Sequence, residues 1–279
     1  MGTVDLAKIA ALAENLNQDS GGQSGSGDFL GKFVQLENGT NTVRILPPAS
    51  DGLDFYAQTS IHRVMNADGK VQNFHCLGVE TPGHDKQECP LCKLYYSLWD
   101  AHNALKLPKG EKSEFANLAT QIKARPRYYL NVFDRRAEGV KILSIGQILF
   151  KKIINTMVDP DFGDITDLSD GHDFKIVKVM EGEWPKYDQS QARPKPSPLA
   201  GSDAEVAEIM SSLHDIHGLV QFPEYDDVRN IALELAAGAG VTVKGIAPVA
   251  SAPSDGSDDD AGDDDNYLAR LKGEDNEND

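Results

Sequence analysis

The three cysteines of this chain constrain its fold more than any other feature, because all of them lie between positions 76 and 92 of 279 residues. Two form a Cys-Pro-Leu-Cys knuckle, and the third precedes it alone. Three thiolates suit a soft tetrahedral cation such as Zn²⁺, which needs a fourth ligand. The pattern therefore predicts one metal site; the alternative is three unrelated cysteines without a metal. The candidates for the fourth ligand are His62, His75 and His84.

The choice among these histidines depends on where a β-hairpin would place them. His75 adjoins Cys76, and neighbouring side chains of an extended segment point to opposite faces. His84 lies in a Pro-Gly-His-Asp turn. His62 ends one predicted strand and Cys76 ends the next, with Asp68-Gly69, a typical hairpin turn, between them. We therefore predict that one Zn²⁺ is bound by His62, Cys76, Cys89 and Cys92.

This ligand set favours a structural rather than a catalytic metal. Four protein ligands complete the tetrahedron, whereas a catalytic zinc keeps one position open for water. Zinc deaminases also need a His-x-Glu pair ahead of Pro-Cys-x-x-Cys, and here Glu88 stands where that proline would be. We expect that the protein is not an enzyme.

The distribution of charge is more informative than its sum. A formal net charge of −17 argues at first against a nucleic-acid partner. Residues 255–279, however, hold eleven acids and two bases, a local charge of −9. Residues 123–152 hold eight bases and two acids, a local charge of +6. A basic stripe inside an acidic protein predicts a surface for a polyanion.

The first part of this stripe is a predicted strand, residues 123–134. Alternation would put its three bases on one face, where they could follow a phosphate backbone. The two tyrosines that follow would face opposite ways, so that one is free to stack on a nucleic-acid base. The alternative is a solvated edge strand with a core tyrosine. The residues concerned are Lys123, Arg125, Arg127, Tyr128 and Tyr129.

Two further segments carry candidate contacts. Lys151 and Lys152 lie in a predicted helix that contains ILFKKIINTM. Trp184 and Tyr187 lie in a Pro-rich segment that we expect to be irregular and exposed. Aromatic side chains kept in an exposed loop are candidates for base stacking. The alternative is that they pin the loop to the core.

The order of predicted elements indicates an α+β, mainly β protein. Short strands with few helices between them favour an OB-fold-like small β-barrel. We expect a DNA-binding core over residues 29–246, with a zinc subdomain at about 60–105. Residues 1–19 are predicted to form a helical arm, residues 20–28 a Gly/Ser linker, and residues 247–279 a disordered acidic tail. No run reaches the ~20 apolar residues of a membrane span and the N-terminus lacks the pattern of a secretory signal, so we expect a cytoplasmic protein without a membrane partner.

With these motifs assembled, the chain resembles the single-stranded DNA-binding (helix-destabilising) proteins of T-even-like tailed bacteriophages. The resemblance is carried by SIHRVMNADGKVQNFHC, ECPLCKLYYS, IKARPRYYLNVF, ILFKKIINTM and FKIVKVMEGEWPKYDQS. It supports His62 as the fourth ligand. It also implies that the aromatic residues stack on bases and the basic ones contact phosphates. The residues concerned are Tyr128, Tyr129, Trp184 and Tyr187, and Lys123, Arg125, Arg127, Lys151 and Lys152.

The resemblance implies a sequence-tolerant protein that coats and protects single-stranded DNA in phage replication, recombination and repair, in the host cytoplasm. It further implies self-association along DNA through the N-terminal arm, and recruitment of replication and recombination proteins by the acidic tail. Two features depart from the family. Residues 1–31 contain only Lys8 as a base, and the basic strand has Arg-Pro-Arg in place of a dense cluster. The alternative function is a zinc-containing protein-interaction adaptor that acts through its tail.

Overall fold

A computed structural model describes residues 31–50, 53–65, 69–81, 83–182 and 184–246. The predicted arm, its linker and the acidic tail lie outside the described residues. The strands are β1 Gly39–Ile45, β2 Tyr56–Met65, β3 Val71–His75, β4 Arg125–Asp134, β5 Gly139–Gly146, β6 Asp173–Glu181, β7 Trp184–Lys186 and β8 Gln191–Ala192. The helices are α1 Pro90–Ala104, α2 Glu114–Ile122, α3 Gln147–Met157, α4 Asp203–Ser211 and α5 Tyr225–Ala239.

The strands form one antiparallel sheet in the order β3-β2-β4-β1-β6-β7. The long strand β4 is at its centre: one edge pairs with β2 and then with β1, and the other edge pairs with β5. β8 pairs with Phe174 and Lys175 near the start of β6, whose other edge faces Val43 and Thr42 of β1. The result is a half-barrel sheet with helices around it. The predicted mainly β, OB-fold-like class with peripheral helices is confirmed.

The sheet buries one apolar face against α3. Alternate residues of neighbouring strands join a single cluster with the buried side of this helix, as the two-residue period of a strand requires. The members that best show the alternation are Val43 and Ile45, Leu130 and Val132, and Phe174 and Ile176.

A second core surrounds the three cysteines. It contains Val64 and Phe74 from the β2–β3 hairpin and the apolar faces of α1, α2 and α5. Ser113 is the N-cap residue of α2, and its side chain accepts a hydrogen bond from the backbone N–H of Ala116. The helix ends at Ile122. The packing around the cysteines therefore uses helices from distant parts of the sequence, in addition to residues 60–105.

The β2–β3 hairpin predicted from the sequence is present. Its register runs from Ile61↔His75 to Met65↔Val71. Gly69 has φ +76°, which glycine adopts without the steric penalty of a Cβ.

Two local predictions were wrong. β4 begins at Arg125, and Lys123 is instead the C-cap residue of α2, because the apolar face of that helix continues to the buried Ile122. The alternation expected for three bases therefore applies only to Arg125 and Arg127. The segment around Trp184 is also not wholly irregular, since β7 and β8 pair with β6.

A buried arginine fastens the segment after β8 to the sheet. Arg44 is wholly buried, and its Nε donates to Asp173 Oδ1 at 3.1 Å. Its Nη2 donates to the carbonyl and the hydroxyl of Ser197 at 2.7 and 2.8 Å. Arg135 donates to the same Asp173 oxygen at 2.9 and 3.1 Å, so one carboxylate serves two guanidinium groups.

Among the described residues, no helix is long and apolar enough to cross a membrane.

Candidate metal centre and nucleic-acid interface

The structure brings His62 together with all three cysteines. One ligand atom from each residue lies within 4.8 Å of the others. His62 Nε2 lies 3.4 Å from Cys89 Sγ and 3.6 Å from Cys92 Sγ, and Cys76 Sγ lies 3.5 Å from Cys92 Sγ. Zn–S bonds of about 2.3 Å and Zn–N bonds of about 2.0–2.1 Å at tetrahedral angles would separate ligand atoms by roughly 3.5–3.8 Å. The donor set therefore fits one tetrahedral ion.

Two local structures converge to make this cluster. On the hairpin, His62 pairs with Phe74, and Cys76 follows two residues later on the same face, with its N–H donating to Ser60 O at 2.8 Å. At the knuckle, Cys89 is the N-cap residue of α1, and Cys92 lies three residues further on. Residues three apart on a helix face the same way, so both thiols point to the hairpin.

A backbone carbonyl fixes the orientation of the His62 ring. Its Nδ1 lies 2.7 Å from the carbonyl oxygen of Ile122, the last residue of α2. Nδ1 must carry a proton to donate this bond, so a neutral ring would direct the lone pair of Nε2 at the thiols. A metal-binding histidine requires this tautomer.

The other two candidate histidines point elsewhere. His75 faces the opposite side of the sheet, where its Nδ1 lies 2.8 Å from Thr59 Oγ1. Burial lowers the pKa of His75 to about 4. His84 stacks on Phe222 with ring centroids 3.5 Å apart. The alternation argument that separated His75 from Cys76 therefore describes the geometry correctly.

The electrostatics of the cluster favour a thiolate at Cys89. Burial alone lowers the pKa of His62, but hydrogen bonds to Cys76 and Cys89 outweigh it and raise this pKa to about 10. The pKa of Cys89 is lowered, first by hydrogen bonds from Cys76 and Cys92 and then by His62. The pKa of Cys92 is raised by hydrogen bonds with the other two thiols and by burial. The first proton therefore leaves Cys89, and thiolate is the form that binds metal.

A cavity of about 250 Å³ lies close to this cluster and is lined by predicted and unpredicted residues together. Arg63 follows the ligand His62 on β2, so its side chain points to the other face of the strand. Trp184 reaches the same cavity from β7 and is 65 % exposed. The lining is Arg63, Met65, Val71, Gln121, Arg125 and Trp184.

The cavity joins two residues that the sequence singled out, Arg125 and Trp184, which are 59 positions apart. The sequence analysis missed Arg63 and Gln121. Arg63 had a usable signal, because a base directly after a metal ligand on a strand must point away from the metal. Gln121 had none, since its place depends on how α2 packs.

The expectation that one of the two adjacent tyrosines would be exposed is not met. Tyr128 is 7 % and Tyr129 is 3 % exposed. They do face opposite sides: Tyr128 stacks on Phe150 with centroids 3.8 Å apart, and Tyr129 packs beside Ala57 in a separate cluster. Burial, followed by the neighbouring Tyr56, raises the pKa of Tyr128. Sequence alternation gave the faces correctly, but the packing of α3 onto the sheet covers one of them.

The remaining candidates lie at the surface with different degrees of exposure. Lys123 and Lys151 are exposed, and Arg127 is half-buried. Lys152 is half-buried and donates from Nζ to Asp188 O at 2.9 Å. Tyr187 is half-buried against the core of the sheet. The half-exposed Tyr56, which the sequence analysis did not single out, lies 4.8 Å from Phe150 by ring centroids and extends this aromatic cluster towards solvent.

Comparison with known proteins gives one clear relationship. No curated protein matches the chain. A protein-family model described as gp32 DNA binding protein like matches residues 37–235. This range includes the metal-ligand candidates, the cavity and the whole sheet except for the first bridge at Phe33. Because the match covers well over half of the sequence, the chain belongs to the family of gp32-like DNA-binding proteins.

Proposed function

We propose that this protein is a non-catalytic, sequence-tolerant binder of single-stranded DNA that coats and protects the strand in phage replication, recombination and repair. Family membership supports single-stranded DNA as the ligand. The observation that carries the proposal is the cavity at which an exposed tryptophan, Trp184, meets Arg63 and Arg125. An exposed aromatic ring beside cations is the arrangement that binds unpaired bases and phosphates together.

The energetic terms expected for such a site are well defined. Stacking of one base on an aromatic ring contributes about 1–3 kcal/mol. Each phosphate contact adds affinity that falls as salt rises, because bound counterions are released. We propose that the phosphate contacts come from the Lys and Arg side chains near the cavity and on α3. The proposed contact set is Lys123, Arg125, Arg127, Lys151, Lys152, Trp184 and Tyr187; Tyr128 and Tyr129 leave the predicted set because both are buried.

We assign the metal a structural role. A Zn²⁺ held by His62, Cys76, Cys89 and Cys92 would tie the β2–β3 hairpin to the start of α1. His62 also holds the end of α2 through its bond to Ile122 O. The ion supplies folding free energy, because its ligands are not preassembled in an unfolded chain. The donor set leaves no position for a reacting water.

The terminal segments have proposed roles in assembly. We assign self-association along DNA to the arm, residues 1–19, and recruitment of replication and recombination proteins to the acidic tail, residues 247–279. The place of action is the host cytoplasm during infection. The zinc-containing adaptor is the competing function, and it predicts no binding of DNA by the core.

The two tryptophans give a direct test, because only one of them lines the cavity. Trp99 packs half-buried in α1, with its ring 6.3 Å from that of Tyr95. Oligo-dT should quench the fluorescence of the Trp99→Phe variant, in which Trp184 remains. The quenching should reverse when salt is added. The Trp184→Phe variant should show little tryptophan quenching. If the wild-type protein shows neither quenching nor retention of a labelled oligonucleotide at low salt, the proposed function is wrong and the adaptor is favoured.

A further inference from the structure

The cavity beside Trp184 has a lining that suits a single nucleic-acid base. Its volume of about 250 Å³ corresponds to roughly eight water volumes. Met65 and Val71 form an apolar wall, and Met65 is 49 % exposed. An exposed thioether beside an exposed indole offers a planar apolar ligand two surfaces to pack against.

Two polar side chains in this cavity lack partners. Within the described part of the chain, the side chains of Arg63 and Gln121 make no hydrogen bond or ion pair. Arg125 differs, since its Nη2 donates to Thr120 O at 3.3 Å and its side chain is exposed. Hydrogen-bonding groups that line a cavity without partners leave their capacity for a ligand.

These observations assign different tasks to the two arginines. The exposed Arg125 suits a phosphate at the mouth of the cavity, where solvent reaches it. Arg63 is half-buried on the strand face that lines the cavity, next to the apolar wall. Gln121 brings one amide donor and one amide acceptor to the same space.

We propose that this cavity receives one unpaired base edge-first, that Arg63 and Gln121 read its edge, and that guanine and cytosine are preferred there over adenine and thymine. Arginine presents parallel N–H donors, which match two adjacent acceptors on one base edge: O6 and N7 of guanine, or O2 and N3 of an unpaired cytosine. Adenine places its N6 donor beside both N1 and N7, and thymine places its N3 donor between O4 and O2, so neither offers two adjacent acceptors. The inference rests on the proposed binding of single-stranded DNA and adds one selective position to a site that is otherwise tolerant of sequence.

The test compares fluorescently labelled oligonucleotides of equal length and charge by anisotropy. Four are needed: oligo-dT, oligo-dT with every third base replaced by dG, the same with dA, and a chain with every third base abasic. The dG oligonucleotide should bind the wild-type protein about fivefold or more tightly than the dA oligonucleotide, the low end expected for one bidentate contact. The abasic chain should bind more weakly than oligo-dT.

Matched variants locate the preference. Arg63→Gln and Gln121→Ala should each reduce the ratio of dG to dA affinity to below about twofold. Arg136→Gln and Gln35→Ala change the same residue types at the opposite end of β4, where Arg136 Nη2 donates to Gln35 O, and should leave the ratio unchanged. Thermal melting of all four variants checks that they fold.

The outcomes separate this inference from the function on which it rests. Equal affinity of the wild-type protein for the dG and dA oligonucleotides, with salt-sensitive binding of oligo-dT intact, overturns the base-reading cavity and leaves the proposed function standing. A dG preference that survives both cavity variants also overturns it. Failure to bind any oligonucleotide would instead remove the proposed function itself.

Discussion

Replacing Arg125 by Gln should change the salt dependence of DNA binding by a predictable amount. The side chain of Arg125 is exposed and lies at the cavity mouth, and its hydrogen bond goes to the neutral carbonyl of Thr120. Among the described residues Arg125 makes no ion pair, so a bound phosphate would meet the whole guanidinium charge. For single-stranded DNA, each phosphate contact contributes about −0.7 to the slope of log K against log salt concentration.

The Arg125→Gln variant should therefore have a slope that is less negative by about 0.7. Between 50 and 200 mM salt, the wild-type protein would then lose about 2.5-fold more affinity than the variant. Arg136→Gln is the control with the same change of charge. Arg136 is already paired with Glu37 at 2.6 Å at the far end of β4, so its slope should match that of the wild type.

The assay is a set of anisotropy titrations with labelled oligo-dT at four or more salt concentrations, with thermal melting of each variant as a check on folding. An exposed hydrogen bond to one carbonyl contributes little to stability, so Arg125→Gln should melt close to the wild type. A slope equal to that of the wild type would show that Arg125 meets no phosphate. An equal change of slope in Arg136→Gln would show that the effect is one of net charge and not of position.

Three other predictions concern the scaffold. Cys89→Ser should remove bound zinc and lower Tm by about 10 °C or more. A chelator should lower the Tm of the wild type but not of the variant. An unchanged melting curve would show that no metal stabilises the fold. Asp173→Asn should lower the free energy of unfolding, measured with denaturant, by about 3–5 kcal/mol, because it leaves the buried Arg44 without a carboxylate. Arg44→Met should lower it less, because Asp173 still pairs with Arg135. The reverse order would contradict the conclusion that the two arginines share one carboxylate. The pKa of His75 is about 4 in the folded protein against an ordinary 6.5, because burial disfavours the charged ring. Folding therefore favours the neutral form of His75. The contribution of His75 to the free energy of unfolding should therefore be fully present above pH 6.5. It should fall by up to about 3 kcal/mol between pH 6.5 and 4, because the unfolded chain takes up a proton in this range and the folded protein does not. His75→Gln should flatten that part of the profile, and identical profiles would exclude the effect.

The sequence was most informative where a short-range rule decides the geometry. The knuckle spacing and the two-residue period of a strand are enough to bring His62 to the cysteines and to send His75 to the other face. The same period separates Tyr128 from Tyr129. These rules apply because hydrogen bonds between neighbouring strands fix the direction of each side chain.

The sequence was least informative where long-range packing decides. Whether Tyr128 is exposed depends on Phe150 of α3, which stacks on it across the core. The start of β4 depends on how far the buried face of α2 continues. The cavity forms only because Trp184 of β7 lies close to the β2–β3 hairpin, and no local sequence pattern predicts that these two segments are neighbours. Periodicity gives the face of an element, but only the assembled core says what covers that face.

The candidate metal centre and the cavity proposed to receive a base are connected by two pairs of neighbouring residues. His62 and Ile122 are joined by the 2.7 Å contact that orients the imidazole, and both are buried on the side of the cluster. Arg63 and Gln121 are their immediate neighbours in sequence, and both line the cavity. Any shift of α2 against β2 that lengthened the His62–Ile122 bond would also change the spacing between the two groups proposed to read the base. A metal ion held by the four candidate ligands would then make the proposed binding site rigid: the ion would fix His62, His62 holds the end of α2, and the two cavity residues would be kept at one separation.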